Sequence, residues 1–188
     1  FEQIHTHDRG AALIDAIREE TELVLIDWHD PIRKHHFRES HVDEILRSPL
    51  PVRLAVLKYR ETGDIEDIVV AAATNPYDRA EIELADAIAA ATGARLTLVK
   101  AIDEEAAEEA ETSAREYLTD LAKLTDSPTE TELLRTDDVD RALVKRANAA
   151  DLLVMGGPTR PERIREFFGQ TTDFVPAETT SSVLVVKE

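Results

Sequence analysis

The chain has 188 residues and a formal net charge of −17, from 39 acidic and 22 basic side chains. A chain of this length can form one large or two small hydrophobic cores. Apolar residues make up 43% of the sequence. The negative charge argues against nucleic acids and anionic membrane surfaces as partners, because both are polyanions. The sequence has no cysteine, which excludes disulfides, thiolate metal sites and thiol nucleophiles.

Arginine outnumbers lysine by 16 to 6. An acidic, lysine-poor protein is expected from a high-salt cytoplasm, because the Debye length falls to about 3 Å at 1 M salt and crowded carboxylates repel each other less. The composition therefore favours a halophilic source. An ordinary acidic protein and an acidic substrate-binding face are the alternatives.

The first ten residues, FEQIHTHDRG, have neither the basic nor the apolar region of a secretory signal. No apolar run approaches 18 residues, so we expect no segment that inserts into a membrane. Because Phe1 is not methionine, we expect the sequence to be a piece of a longer product.

Apolar strands alternate with helices along most of the chain. Two strands are predicted early, ELVLID at 22–27 and RLAVLK at 53–58. Later strands are predicted at 68–73, 95–102, 131–136, 151–156 and 182–187, and helices at 78–91, 103–124, 139–148 and 161–174. The strand at 68–73 is continuously apolar, as in a parallel sheet, and five strands joined by four helices indicate a doubly wound α/β layer.

The first 58 residues resemble the last 58. IHTHD at 4–8 matches LRTDD at 134–138 and, after a one-residue gap, ELVLID and RLAVLK match DLLVMG and SVLVVK. We therefore interpret residues 1–60 as the C-terminal half of a first unit, 61–67 as a linker and 68–188 as a complete second unit. Because a half-unit leaves a strand edge unpaired, we expect it to pair with the second unit, with another copy or with a missing front half.

A glycine motif follows the fourth strand of the second unit. Gly156 is followed by two residues and Thr159, then by nine residues and Gly169. This pattern, the VLVVK ending and the strand–helix order resemble the UspA-like universal stress protein family, in a tandem and haloarchaeal form. The resemblance implies a Rossmann-like, five-stranded parallel sheet of order 3-2-1-4-5, with a truncated half-unit of the same fold beside it.

The resemblance also implies a nucleotide site, which this sequence retains only in part. In the family, Gly-x-x-Gly, nine residues, Gly and Ser or Thr bring backbone amides to phosphate. Here Thr159 replaces the second glycine, Gln170 replaces the hydroxyl, and Ala73 stands near the place of a nucleoside-binding Asp. We expect a vestigial site without a cofactor; ATP or another adenine nucleotide, and a different small anion, are the alternatives. The candidate residues are Ala73, Thr74, Val99, Gly156, Gly157, Thr159, Gly169, Gln170 and Thr171.

No catalytic motif or metal-binding spacing is evident. All six histidines lie in the first 41 residues, but none has the i, i+4 spacing of helical zinc ligands. Asp137, Asp138 and Asp140 precede a helix, where capping explains at least one of them and a bound cation is the alternative. We therefore expect no enzyme and no metal; a weak ATPase is the alternative.

The terminal strands are the expected interfaces. The family resemblance implies a homodimer, or intramolecular pairing of tandem units, through Leu54, Val56, Val183 and Val185. It also implies a non-catalytic regulatory module, such as the cytosolic tail of an amino acid permease or cation transporter. We therefore expect a cytoplasmic protein, or one tethered to the cytoplasmic face of a membrane by a missing N-terminal region. Nucleotide or small-anion sensing at Gly156 and Gly169 is the alternative function.

Overall fold

A computed structural model describes residues 9–28, 52–60, 63–157 and 169–187. The first part contains helix α1 (Arg9–Ala16) and strands β1 (Leu23–Asp27) and β2 (Arg53–Lys58). The remaining elements, in chain order, are β3 (Asp67–Ala71), α2 (Asp78–Thr92), β4 (Arg95–Ile102), α3 (Glu108–Ala122), β5 (Thr129–Arg135), α4 (Val139–Ala147), β6 (Leu152–Gly156), α5 (Gly169–Glu178) and β7 (Ser182–Lys187).

All seven strands form one sheet, in the order β1-β2-β7-β6-β3-β4-β5. The pairs are parallel except β2 and β7, which are antiparallel. Within the second unit, the order is 3-2-1-4-5 when read from β5 to β7. The predicted α/β class and Rossmann-like topology are therefore confirmed, with the half-unit extending the same sheet by two strands.

The two units are related by a local two-fold axis. Val56 and Val185, which are equivalent in the sequence repeat, lie opposite each other in the β2–β7 ladder. The N–H of Trp28 donates to Leu57 O at 2.8 Å, and the equivalent N–H of Gly157 donates to Val186 O at 2.7 Å. The sequence repeat is therefore also a structural repeat.

A hydrophobic core covers each face of the sheet. The first core contains residues of both units, including Val24, Val56, Leu153 and Val175. The second core includes Ile68, Leu98 and Val154 from the strands and is closed by apolar residues of α2 and α3. Since the sheet and both cores run through the two units, the half-unit packs as part of the same body as the second unit.

Two predicted helices differ from the observed ones. The helix predicted from Asp103 begins at Glu108, because the Asp103 carboxylate accepts from the N–H of Glu105 at 2.8 Å and holds a turn before it. The helix predicted over 161–174 falls partly outside the described residues, but α5 continues to Glu178 with Pro176 inside it. Burial of Val175 and Pro176 offsets the missing proline N–H. Strand β3 also begins at Asp67, inside the predicted linker.

Candidate functional site

Strands β3 and β6 end side by side in the middle of the sheet, and we refer to the region just beyond these two strand ends as the crevice. The chain leaves β3 into α2, on the face of the second core, whereas α5 follows β6 and contributes Val175 to the first core. Ligands of open α/β sheets bind where neighbouring strands send their connections to opposite faces. The sequence-predicted residues Ala73 and Thr74 follow β3 here, and Gly156 and Gly157 lie at the end of β6.

Asp78 shapes the loop between β3 and α2. Its carboxylate accepts hydrogen bonds from the N–H groups of Ala73 at 3.2 Å and Thr74 at 2.9 Å, and from the hydroxyl of Tyr117. Thr74 adopts a left-handed backbone conformation, with φ at +57°, which is unusual for a β-branched residue. The buried carboxylate therefore holds a strained turn at the edge of the crevice.

Glu81 lies behind Gly156 and fills the space beside it. A β-carbon built at Gly156 would collide with the Glu81 carboxyl and would come within 2.8 Å of Asn75 Nδ2. Asn75 Nδ2 lies 3.4 Å from Glu81 Oε1 and donates to it. A side chain at position 156 would therefore have to displace the Glu81 carboxyl and the Asn75 amide.

Burial favours the uncharged form of the Glu81 carboxyl. The side chain is fully buried, and this burial, with the nearby Asp78 carboxylate, raises the pKa of Glu81 to about 8. The hydrogen bond from Asn75 and the nearby amide of Gly156 lower this pKa, but by less. Among the described residues, Glu81 Oε2 has no hydrogen-bond partner.

Lys100 and Tyr117 form the side of the crevice next to Thr74. Lys100 Nζ donates to Thr74 Oγ1 at 2.6 Å and lies 5.1 Å from the centre of the Tyr117 ring. Burial lowers the pKa of Lys100, although the Asp78 carboxylate opposes this shift. Burial and the hydrogen bond to Asp78 raise the pKa of Tyr117, so its hydroxyl remains a donor.

The other predicted site residues have different placements. Val99 is fully buried in the first core, and Gly169 begins α5. Thr159 and the side chain of Gln170 lie outside the described residues, and Thr171 is half-buried in α5. The crevice residues that sequence reasoning missed are Asn75, Asp78, Glu81, Lys100 and Tyr117. Asn75, Asp78 and Glu81 have one sequence signal, a polar cluster at the start of a predicted helix, whereas Lys100 lies in β4 and Tyr117 in the middle of α3.

The candidate cation sites have other structural roles or cannot be described. Asp138 caps α4 by accepting from the N–H of Arg141 at 3.1 Å. The six histidines lie outside the described residues. Within the described ranges, no three His, Asp or Glu side chains form a group that could hold a metal. A search of those ranges also finds no helix that could span a membrane.

The four predicted interface residues meet in the β2–β7 ladder. Val56 faces Val185, while Leu54 faces Lys187 and Val183 faces Lys58. All four are buried. Two polar contacts reinforce the pairing: Arg60 and Ser182 exchange hydrogen bonds through the Ser182 hydroxyl, and Arg53 Nη2 forms an ion pair of 2.9 Å with Glu83.

The doubly wound, mostly parallel sheet with helices on both faces defines a Rossmann-like α/β class. The sequence profile described as the universal stress protein family matches residues 65–187. The chain therefore belongs to the universal stress protein family. No curated protein matches it significantly.

Solved structures agree with this fold. A universal stress protein in complex with cAMP has a TM-score of 0.53 and 23% identity, covering 65% of this chain and 97% of that chain. A universal stress protein from Archaeoglobus fulgidus in complex with dAMP has a TM-score of 0.55 and 20% identity. The match covers 66% of this chain and 100% of that chain. Another, from Archaeoglobus fulgidus DSM 4304, has a TM-score of 0.64 and 16% identity; it covers 94% of this chain, which spans 64% of that one.

Proposed function

We propose that this chain is a non-catalytic regulatory and interaction module whose inherited phosphate site no longer binds nucleotide tightly. The observation that carries this proposal is the Glu81 carboxyl behind Gly156. A phosphate loop requires open space beside its glycines, where the phosphate approaches the backbone, and the Glu81 carboxyl fills that space at Gly156.

The charge around the crevice supports the same proposal. Asp78 is a buried carboxylate at the turn after β3, and Glu81 becomes a second negative charge as the pH rises through about 8. Lys100 is the basic side chain facing this turn, and it already bonds Thr74. In the motif itself, Thr159 adds a β-carbon and Gln170 replaces a hydroxyl. An added phosphate would therefore gain few donors near Gly156 and would meet a carboxylate.

Titration calorimetry with ATP, cAMP and dAMP tests this proposal. We expect no saturable binding with a Kd below about 1 mM, which corresponds to about −4 kcal/mol. A universal stress protein that binds cAMP serves as the positive control under the same conditions. A Kd below about 100 µM for any of the three nucleotides would contradict the proposal.

Nucleotide or small-anion sensing is the second candidate function. Two structural neighbours are described as complexes with cAMP and dAMP, which supports it. Its site would include Thr74, Gly156 and Gly169, with Asn75 as an additional polar group. This candidate predicts that a small molecule co-purifies with the protein and appears by mass spectrometry after denaturation. The weak-ATPase alternative predicts phosphate release that Gly169→Trp abolishes, and a complete lack of turnover would exclude it.

We further propose that the module acts in the cytoplasm as part of a larger protein, such as a transporter. The family resemblance and the tandem arrangement support this proposal. The genomic reading frame tests it. Apolar segments of about 20 residues upstream would support a transporter, whereas an upstream frame without them would contradict that part of the proposal.

A further inference from the structure

Lys100 places a primary amine at the crevice, beside the turn that follows β3. It is half-buried in β4, and its Nζ donates to Thr74 Oγ1 at 2.6 Å and lies 5.1 Å from the centre of the Tyr117 ring. Exposed lysines have different surroundings. The side chain of Lys123, for example, is 69% exposed, and its Nζ forms an ion pair of 2.6 Å with Asp120. A hydroxyl and a ring face therefore hold the Lys100 ammonium where this surface lysine has a carboxylate and water.

The carboxylate that acts on Lys100 is Asp78, and other donors already occupy it. It accepts hydrogen bonds from the N–H groups of Ala73 and Thr74 and from the Tyr117 hydroxyl. Asp78 raises the pKa of Lys100, but burial lowers this pKa by more. At neutral pH the Lys100 amine is therefore uncharged in a larger fraction of molecules than the amine of an exposed lysine is.

An uncharged lysine amine is a nucleophile toward carbonyl carbon. The surroundings of Lys100 favour a carbonyl compound without negative charge, because the buried Asp78 carboxylate acts on this site and the chain carries a net charge of −17. A proton released from Nζ also has a path away from it. Thr74 Oγ1 accepts a hydrogen bond from Nζ, and the nearby Tyr117 hydroxyl donates to Asp78. The crevice thus combines a nucleophile with acceptors for its proton.

We propose that Lys100 is a site of covalent modification, at which small uncharged aldehydes form an imine with Nζ. The amine nitrogen attacks the aldehyde carbon, so that a C–N bond forms and the carbonyl oxygen becomes a hydroxyl. The C–O bond then breaks, and the oxygen leaves as water. Of the three protons of the ammonium, two leave in this water and one stays on the positively charged imine nitrogen. No oxidant or reductant takes part, and the proposal does not depend on whether the crevice binds nucleotide.

Reductive labelling of the 188-residue chain tests the proposal. The protein is treated near neutral pH with propionaldehyde and sodium cyanoborohydride, which reduces an imine to a stable secondary amine, and peptide mass spectrometry follows each lysine. Lys123 and Lys145, which are exposed, serve as internal references in the same sample. We expect Lys100 to react about fivefold or more faster than either reference, and its rate to reach half of its maximum at a lower pH.

Tyr117→Phe is the informative variant, because it retains the ring beside Lys100 and removes the hydroxyl that donates to Asp78. The Asp78 carboxylate would then stabilise the ammonium more strongly. We expect labelling of Lys100 at neutral pH to slow by about threefold, with the half-maximal rate at a higher pH. Tyr77→Phe is the matched control: the contacts described for Tyr77 are made by its backbone, so this variant should change neither value. Melting temperatures verify that both variants fold.

Three results would overturn the proposal. The first is labelling of Lys100 no faster than that of Lys123 and Lys145 in the natural chain, a result that requires no variant. The second is an unchanged rate and pH dependence of Lys100 labelling in folded Tyr117→Phe. The third is a preference of Lys100 for glyoxylate, an anionic aldehyde, over propionaldehyde, when each rate is divided by the rate of Lys145 with the same reagent.

Discussion

Glu81 combines full burial with an ionisable group, and so it couples folding to pH. Its pKa in the folded protein is about 8, well above the value near 4.5 of an exposed glutamate. Between these values the unfolded chain loses this proton while the folded chain retains it. The Glu81 contribution to stability therefore falls as the pH rises from about 4.5 and reaches its lowest level above about 8.

Replacing this carboxyl should remove that dependence. We expect the free energy of unfolding of the natural chain to decline across this pH range, and Glu81→Gln to flatten the decline. The full decline in the free energy of unfolding is about 1.4 kcal/mol for each unit by which the pKa of Glu81 differs between the folded and unfolded chains. Urea unfolding at half-unit pH steps measures it.

Glu83→Gln is the matched control for this experiment. Hydrogen bonds from Arg79 and Arg53 lower the pKa of Glu83, so its contribution is present above the unfolded pKa and is lost as the pH falls. The control should therefore keep the decline toward pH 8 and alter only the acidic side of the profile. An unchanged slope in Glu81→Gln would show that Glu81 is not protonated in the folded protein.

Gly156 provides a steric test of the same contact. Gly156→Ala should destabilise the protein by about 1–3 kcal/mol, because its β-carbon meets the Glu81 carboxyl and Asn75. Gly157→Ala should lower the free energy of unfolding by much less, since the atom nearest to a β-carbon built at Gly157 is Val186 O, at 3.4 Å. Denaturant unfolding of both variants and of the double variant Gly156→Ala, Glu81→Ala measures this difference. Equal costs at the two glycines, or no recovery in the double variant, would contradict the proposed packing.

The sequence predicted only part of this site. Gly156 was identified through the glycine spacing that resembles the family's motif, and Thr74 through its place beside the end of the first strand of the second unit. Glu81 was not identified, because its role depends on a contact with a residue 75 positions later in the chain. The same is true of the hydrogen bond between Asp78 and Tyr117, which joins two different helices. Local spacing carries no signal for either contact.

At the level of the elements, apolar patterning predicted the strands better than the helices. Strands β4 and β7 were predicted with their observed bounds, since each is rich in apolar residues and has polar residues on both sides. The start of α3 was predicted five residues too early, because Asp103 favours a turn over a further helical turn. Helix ends depend on such side-chain hydrogen bonds, which composition does not reveal.

The register of the β2–β7 ladder is testable because the chain contains no cysteine. In the pair Val56→Cys with Val185→Cys, the two thiols lie directly opposite each other, at a separation that a disulfide can span. We expect this pair to oxidise completely, with a loss of about 2 Da detectable by mass spectrometry of the non-reduced protein.

A shifted pair controls for nonspecific oxidation. Ala55 belongs to the second core and Val185 to the first, so Ala55→Cys with Val185→Cys places the thiols on opposite faces of the sheet. This pair should remain reduced under the same conditions. Preferential oxidation of the shifted pair would indicate a register different by one residue.

For the whole molecule, the net charge of −17 suggests that solution conditions affect stability strongly. Repulsion among surface carboxylates weakens as salt screens them. We therefore expect the melting temperature to rise by about 5 °C or more between 0.1 M and 2 M KCl. Differential scanning calorimetry measures this shift, and equal melting temperatures at the two concentrations would contradict the halophilic interpretation.

The β2–β7 pairing also affects which proteins this chain can join. An edge strand that pairs with an equivalent edge is self-complementary, so separate proteins with the same edge could exchange partners. In this chain the two edges are covalently linked, and the high local concentration of one around the other favours the internal pair over any free competitor. We therefore expect the internal pair to disfavour mixed assembly with separate proteins that carry the same edge.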